Sequence, residues 1–398
     1  MSIGAPTEAP RWVTHALVPL INLALALIIS GLLIFALGED PFEAISILAY
    51  GAFGYPEAIG YTLYYTTNFI FTGLAVAIAF HCFLFNIGGE GQAYLGGLGA
   101  GVVGLAIGHW PSPIVLILGI LAAAAFGGAW AFIPAWLQAK RGSHIVITTI
   151  MFNFIAAALM TYLMVEIFIE PGQQSAESRD FEAGAIMPFV HDILAQIGID
   201  AGHSFLNLSF VLALICCVLF WFFVWRTRWG YEIRSVGQNE SAAVYGGIMP
   251  SRAIILAMCI SGGLAGLVGV NEILGVHHRL LLEFTAGYGF VGIAVALMGR
   301  NHPFGIFLAA LLFGALYQGG QELAFDMPNI NRDMVVVIQG LVILFSGALE
   351  NMFRPRIEAL FMRRARSAPA AAEEARRWAK ISPSSCSCST PCCASRRR

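Results

Sequence analysis

Eight polar side chains stand in stretches that are otherwise apolar, and any chemistry this chain performs should involve them. They are Asn68, Asn86, Glu90, Gln92, Thr148, Asn153, Asn271 and Glu272. In hydrocarbon, an amide, hydroxyl or carboxylate costs free energy unless it is paired or solvated, so each is a candidate lining for the path of a polar solute. Asn86 to Gln92 carries three glycines (Gly88, Gly89 and Gly91), which loosen the start of the next helix and leave backbone N–H groups available to a ligand. Glu90 is equally open to a second reading, in which it faces the cytoplasm and caps that helix. Asn153 falls in the middle of an apolar run, where a hydrogen bond between helices is its ordinary use. Tyr61, Tyr64, Tyr65, Phe69 and Phe71 form an aromatic group that fits either a stacking surface or an interfacial belt.

Enzyme signatures are absent. The chain has no G-x-x-x-x-G-K-[ST] with which to cradle nucleotide phosphates, no H-E-x-x-H and no G-x-S-x-G. The adjacent His277 and His278 point different ways on a helix, and the cysteines Cys386, Cys388, Cys392 and Cys393 lack paired C-x-x-C spacing, so no metal site is expected.

The elements that must hold these residues are apolar helices. Of 398 residues, 58% are hydrophobic and 12% charged, about half the charge of an ordinary soluble domain. Ten uncharged segments can be drawn, at 13–37, 61–85, 91–109, 113–137, 143–165, 205–225, 253–271, 284–299, 303–321 and 334–349. A crossing of the ~30 Å hydrocarbon core takes about 20 residues, so 284–299 and 334–349 are short and the count is nine or ten. The expected fold is an all-α, polytopic membrane bundle. Its parts are a cytoplasmic N-terminus at 1–12, a transmembrane domain at 13–350 and a basic tail at 351–398, low in complexity and read as disordered.

Charge orients this bundle. With the N-terminus inside, 19 of the 22 Lys and Arg fall on the cytoplasmic side, and only Arg179, Arg279 and Arg332 fall outside. Both termini are then cytoplasmic. Two outer loops are acidic, one from Glu39 to Glu57 and a longer one at 166–204 that suits an external partner. An internal echo links the halves: a Gly-x-Gly near Gly89 and another at Gly287–Gly289 each precede a small-residue helix and then a proline. Transporters are often built from such repeats. The glycine runs Gly96–Gly101 and Gly262–Gly269 are scaffolding for close helix packing. A net charge of −2 gives no support for nucleic-acid binding.

The loop at 226–252 is the most informative segment. Arg226 leaves an apolar span, Asn239 is placed to cap a short helix over Glu240 to Tyr245, and Gly246-Gly247 ends it. Here the chain resembles a known family. Arg234-Ser-Val-Gly237-Gln-Asn239-Glu-Ser-Ala242-Ala243-Val-Tyr-Gly-Gly247-Ile248 is similar to the cytoplasmic coupling loop of ABC-importer permeases, the family shared by simple-sugar, nucleoside and branched-chain amino acid systems. Phe85-Asn-Ile-Gly-Gly-Glu-Gly-Gln92, Ile145-Val-Ile-Thr-Thr-Ile-Met-Phe-Asn153-Phe and Gly287 to Pro303 agree with it, in order, and look most like the nucleoside branch. The Cys-rich end departs from the family.

The resemblance implies a permease in a bacterial inner membrane that carries nucleosides or related sugars inward. Arg234, Gly237, Asn239, Ala242, Ala243 and Gly247 would couple it to a cytoplasmic ABC ATPase. It implies a second permease subunit, identical or not, and an external substrate-binding protein. ATP and Mg²⁺ would sit on the ATPase, and no cofactor on this chain. Within the family, a branched-chain amino acid or ribose-type solute is the alternative. Outside it, an ion-coupled carrier would need a membrane-embedded ionisable relay, for which only Glu90 and Glu272 are candidates.

Overall fold

In a computed structural model, the described residues are 18–36, 38–170, 172–198, 202–327, 330, 334–341 and 344. Contacts divide the chain into a compact unit of residues 26–347 and a second unit of 1–25 with 348–398, of which only 18–25 are described. The basic tail with its four cysteines, residues 13–17 of the first span and most of 342–349 lie outside the described residues.

Among the described residues, thirteen α-helices and two π-turns carry the fold. They are α1 (Val18–Ala36), α2 (Pro41–Phe53), α3 (Pro56–His81), α4 (Gly89–Ile107), α5 (Ser112–Arg141), α6 (Ile145–Leu163), α7 (Val190–Ala195), α8 (Ser209–Arg226), α9 (Arg228–Gln238), α10 (Glu240–Tyr245), α11 (Pro250–Gly266), α12 (Tyr288–Met298) and α13 (Pro303–Asp326). The π-turns extend α6 over Met164–Phe168 and α11 over Val270–His277, and residues 334–341 are also helical. There is no β-strand among the described residues beyond two isolated bridges. Among the described residues six helices, counted with their π-turns, are long and apolar enough to cross a membrane. The fold class is the all-α polytopic bundle expected.

The centre of the bundle is α3. Its Phe69, Ile70, Phe71 and Leu74 are fully buried, because α2, α8, α11, α12 and α13 all pack around it. By contrast α5, α6 and α8 turn Ile117, Leu121, Ile147, Phe154, Val218 and Phe222 outward. Apolar exteriors of this kind suit lipid and would be a liability in water. The most extensive helix pairing is α5 with α11, followed by α4 with α5. Small residues permit this closeness: a Cβ built on Gly127 of α5 would lie 2.3 Å from the Gly262 carbonyl oxygen of α11.

Two expectations need correction. The stretch 39–57 is not an acidic loop, because Pro41–Phe53 is a helix whose N-cap Asp40 accepts a 2.8 Å bond from the Phe42 amide. Asp-Pro with Glu43 in the first turn is a helix-start signature that outweighs the acid count. Nor is 226–238 a plain exit from the membrane. Thr227 caps α9 by accepting the Gly230 amide at 3.1 Å, so the loop holds two successive helices.

Candidate functional site

All but one of the polar residues singled out above gather into two groups around α3. The first group is built on the π-turn after α11, where the widened helical repeat lets consecutive residues both reach α3. Asn271 donates to Asn68 Oδ1 at 2.9 Å, and Asn68 Nδ2 donates to Glu272 Oε1 at 2.6 Å. The Tyr64 hydroxyl lies 2.7 and 2.8 Å from the two Glu272 oxygens. On the far side, Asn207 Nδ2 donates to Asn271 Oδ1 at 3.0 Å, and Ser209 Oγ lies 2.5 Å from the same oxygen. All of these residues are buried. His277 Nε2, at the end of the turn, is 3.6 Å from Glu272 Oε2.

The second group forms where α4 begins. After His81 the chain turns back without helix through 83–88, and Asn86 Nδ2 donates to Ser261 Oγ at 2.8 Å. Ser261 lies eleven residues beyond Pro250, or about 16 Å along α11 at 1.5 Å per residue, so α4 starts deep in the bundle. This sets Glu90 inside the bundle and not at the boundary of a span. Asn86 and Gln92 pair side chain to side chain at 3.0 and 3.2 Å, and Asn86 Oδ1 accepts the Gly88 amide at 2.8 Å. Asn153 braces the turn from α6, accepting the Gly91 amide at 2.9 Å and donating to the Ile87 carbonyl at 2.9 Å. That is its ordinary interhelical use.

Glu90 then joins the two glycine-broken segments. One carboxylate oxygen accepts from the Thr285 hydroxyl at 2.5 Å and from the Gly287 amide at 3.0 Å, and the other accepts from the Gly289 amide at 2.9 Å. The backbones touch: a Cβ on Gly289 would lie 2.3 Å from Glu90 N. The internal echo is therefore a physical meeting of α4 and α12 at their N-terminal ends. Their other ends diverge. The Gly108 carbonyl at the end of α4 accepts the Gly184 amide of the 166–204 segment, whereas His81 Nε2 lies 3.1 Å from the Asn301 carbonyl beyond α12. With only 11 residues α12 spans about 16 Å, half a bilayer core.

Aromatic rings fill the space between the groups. Tyr65 lies 6.4 Å from Tyr288 and 5.7 Å from Tyr317 between ring centroids, and Phe69 lies 5.7 and 4.9 Å from the same two rings. Tyr64 and Tyr288 are buried, while Tyr65 and Tyr317 are half-buried. The aromatic group on α3 thus faces inward and is not a lipid-interface belt. Thr148 joins neither group, because its hydroxyl bonds the His144 and Ile145 carbonyls of its own helix. Its neighbour Thr149 is the fully buried one, and it packs beside Gly88. Thr149, Tyr64, Asn207, Ser209, Ser261 and Thr285 are members that sequence reasoning did not select as polar path residues. Tyr64 had left a signal as part of the aromatic group, Thr149 as part of the Ile145 to Asn153 stretch and Thr285 by standing just before the second glycine pair.

At the other end of α8 from the 166–204 segment lie α9 and α10. Ile233 and Val236 bury one face of α9. Gly237 abuts the end of α3 so closely that a Cβ would lie 2.3 Å from the His81 carbonyl oxygen. Arg234 is half-buried on the same helix. Asn239 caps α10 by accepting the Ala242 amide at 3.0 Å, and the helix ends at Gly246 with Gly247 at φ +78°, where a side chain would be strained. Ala243 is buried and Ala242 exposed. Tyr245 is 96% exposed, and Trp229, Tyr231, Val244 and Met249 are exposed around it. A pocket of ≈ 350 Å³ opens between the two helices, lined by Tyr231, Ser235, Asn239, Ala243 and Gly247 among others.

Comparison with known proteins agrees with this architecture. The family model described as branched-chain amino acid transport system / permease component matches residues 58–347. The guanosine ABC transporter permease protein NupP of Bacillus subtilis is 36% identical over 334 residues, covering 83% of this chain and 93% of that protein. The glucose ABC transporter permease protein TsgB13 of Haloferax volcanii is 32% identical over 368 residues, 91% of this chain and 94% of its own. The nucleoside ABC transporter permease protein NupB of Lactococcus lactis is 32% identical over 333 residues, 83% and 90% of the two chains. No solved structure matches the chain. It is a multi-pass membrane transport protein and not an enzyme, and it belongs to the permease-component family of branched-chain amino acid transport systems.

Proposed function

We propose that this chain is the channel-forming subunit of an ATP-driven importer that moves nucleosides or related simple sugars into the cytoplasm of a bacterium. The observation that carries the reading is the extent of the likeness, since relatives named for guanosine, nucleosides and glucose match over 83 to 91% of this chain. The geometry supports it. Paired amides and two carboxylates set among tyrosines offer hydrogen bonds and flat apolar faces to a polar ring compound. Asn68, Asn86, Glu90, Gln92, Asn153, Asn271 and Glu272 are the chain's contribution to the path or to its support, and Thr148 is not part of it.

The partners follow from the division of labour in such systems. α9 and α10 project an exposed aromatic and apolar face that fits a groove on a cytoplasmic ABC ATPase, which would bind ATP and Mg²⁺. Arg234, Gly237, Asn239, Ala242, Ala243 and Gly247 shape that coupling element. A second permease completes the path, a non-identical one by analogy with the nucleoside branch, and an external binding protein docks on the 166–204 side. The N- and C-termini are then cytoplasmic, in the inner membrane.

Uptake of labelled guanosine and glucose into proteoliposomes holding all subunits tests the reading. Uptake should require ATP. Uptake that persists without the ATPase, or that follows an imposed ion gradient instead, rejects it. Uptake of leucine in place of both solutes would redirect the cargo to branched-chain amino acids, the second reading that the family's description supplies.

A further inference from the structure

We propose that Glu90 is the fixed counter-charge between two opposed helix N-termini, and that by filling this place it makes the path accept uncharged polar solutes and refuse anionic ones. The inference rests on the importer reading above and adds the rule by which the path selects.

A helix N-terminus carries roughly half a positive elementary charge and several N–H groups without helical partners. In α4 and α12 two such ends are in backbone contact within the bundle. Where transporter helices are broken in this way, the exposed N–H groups ordinarily receive an anionic group of the solute. Here the chain supplies its own carboxylate. The Gly287 and Gly289 amides and the Thr285 hydroxyl are all donors, so both Glu90 oxygens act as acceptors, which is the behaviour of the ionised group. One negative charge offsets two half-charges, and the place an anion would occupy is taken.

The surroundings point the same way. No Lys or Arg occurs on α3, α4, α12 or α13. A solute carboxylate or phosphate moving along these helices would meet Glu90 and, beyond the tyrosines, Glu272, with neither lysine nor arginine on the four helices to offset it. An uncharged ring compound meets instead the half-buried faces of Tyr65 and Tyr317 and the oxygen of Glu90 that accepts a single bond.

The test uses the assembled transporter, with its ATPase, partner permease and binding protein. Glu90→Ala removes the carboxylate and leaves room for formate, whereas Glu90→Gln keeps the size without the charge. ATP-driven guanosine uptake should fall roughly tenfold or more in both, as expected for the loss of a set of charge-assisted hydrogen bonds. Formate at constant pH, but not chloride at equal ionic strength, should restore part of the uptake of Glu90→Ala and raise its melting temperature, while leaving the unmodified protein and Glu90→Gln unchanged. Wild-type uptake by Glu90→Gln overturns the proposal, as does a folded Glu90→Ala that is indifferent to formate in both measurements. Should Glu90→Ala fail to assemble, Glu90→Asp transporting better than Glu90→Gln supports the proposal, and equal rates overturn it. Uptake of leucine or guanosine 5′-monophosphate by the unmodified transporter overturns the selectivity. Failure to take up guanosine and glucose overturns the importer reading alone, because the formate-dependent shift in melting temperature requires no solute.

Discussion

The polar centre and the cytoplasmic element are built on opposite plans. Asn68, Asn271 and Glu272 are buried with their partners Tyr64, Asn207 and Ser209, and hydrogen bonds run from α3 to the π-turn and on to the start of α8. Across α9 and α10 most side chains are exposed, a single capping bond holds the start of α10, and the fit to the bundle comes down to Ile233, Val236, Ala243 and the backbone of Gly237. The first region is complete in itself. The second presents apolar surface that nothing in this chain covers among the described residues. The contrast teaches that substitutions in the centre should cost folding and transport together, whereas those in the cytoplasmic element should separate the two.

The largest effect is expected at Glu272. Glu272→Leu leaves the Tyr64 hydroxyl and the Asn68 amide buried without their acceptor, at a cost of roughly 3 kcal/mol or more. Thermal unfolding in detergent should show a clear loss, and Glu272→Gln a smaller one. An unchanged melting temperature in Glu272→Leu would mean that the centre is not the stable half of the comparison.

Next in size is Gly237→Val. The added side chain runs into the His81 carbonyl and must push α9 away from α3, at a cost of about 1–3 kcal/mol. ATP-driven uptake should disappear while the protein remains inserted and monodisperse. Retained uptake would show that this contact transmits nothing.

Asn239→Ala should be milder, costing about 1 kcal/mol of α10 stability through loss of the cap. Uptake should decline with little change in global melting, and Asn239→Asp should recover it, since either side chain can accept the Ala242 amide. Smallest of all is Arg228→Ala. Its ion pair with Glu232 is exposed, so its removal should change stability by less than about 0.5 kcal/mol. A larger change would place part of the bundle's stability in the cytoplasmic element and blur the distinction drawn here.

Local grammar made much of this legible from residues alone. Long uncharged runs marked the spans, and Asn239 with Gly246-Gly247 marked α10 to the residue, because caps and terminators act within one helical turn. The same grammar held the start of α2 in Asp40-Pro41, where counting acids concealed it. What local pattern does not contain is depth. Asn86 and Glu90 look like boundary residues because they follow a span directly, and only the contact of Asn86 with Ser261, 175 residues away, shows how far the chain climbs back before α4 begins. The joining of Glu90 to Gly289 is likewise a fact of tertiary packing, although the repeated Gly-x-Gly hinted at a relation between the two segments. Facing is the remaining gap. In a helix apolar on all sides, periodicity does not tell Thr148 from Thr149, and the sequence offers no sign of the π-turn that lets Asn271 and Glu272 act together.

The ATPase contact proposed for α10 is tested most directly at Tyr245, because at 96% exposure this side chain has almost no structural work to do. Tyr245→Glu in the assembled transporter should leave the melting temperature of the isolated permease unchanged while abolishing both ATPase association and ATP-driven guanosine uptake. Association and uptake at wild-type levels in that variant would contradict the account.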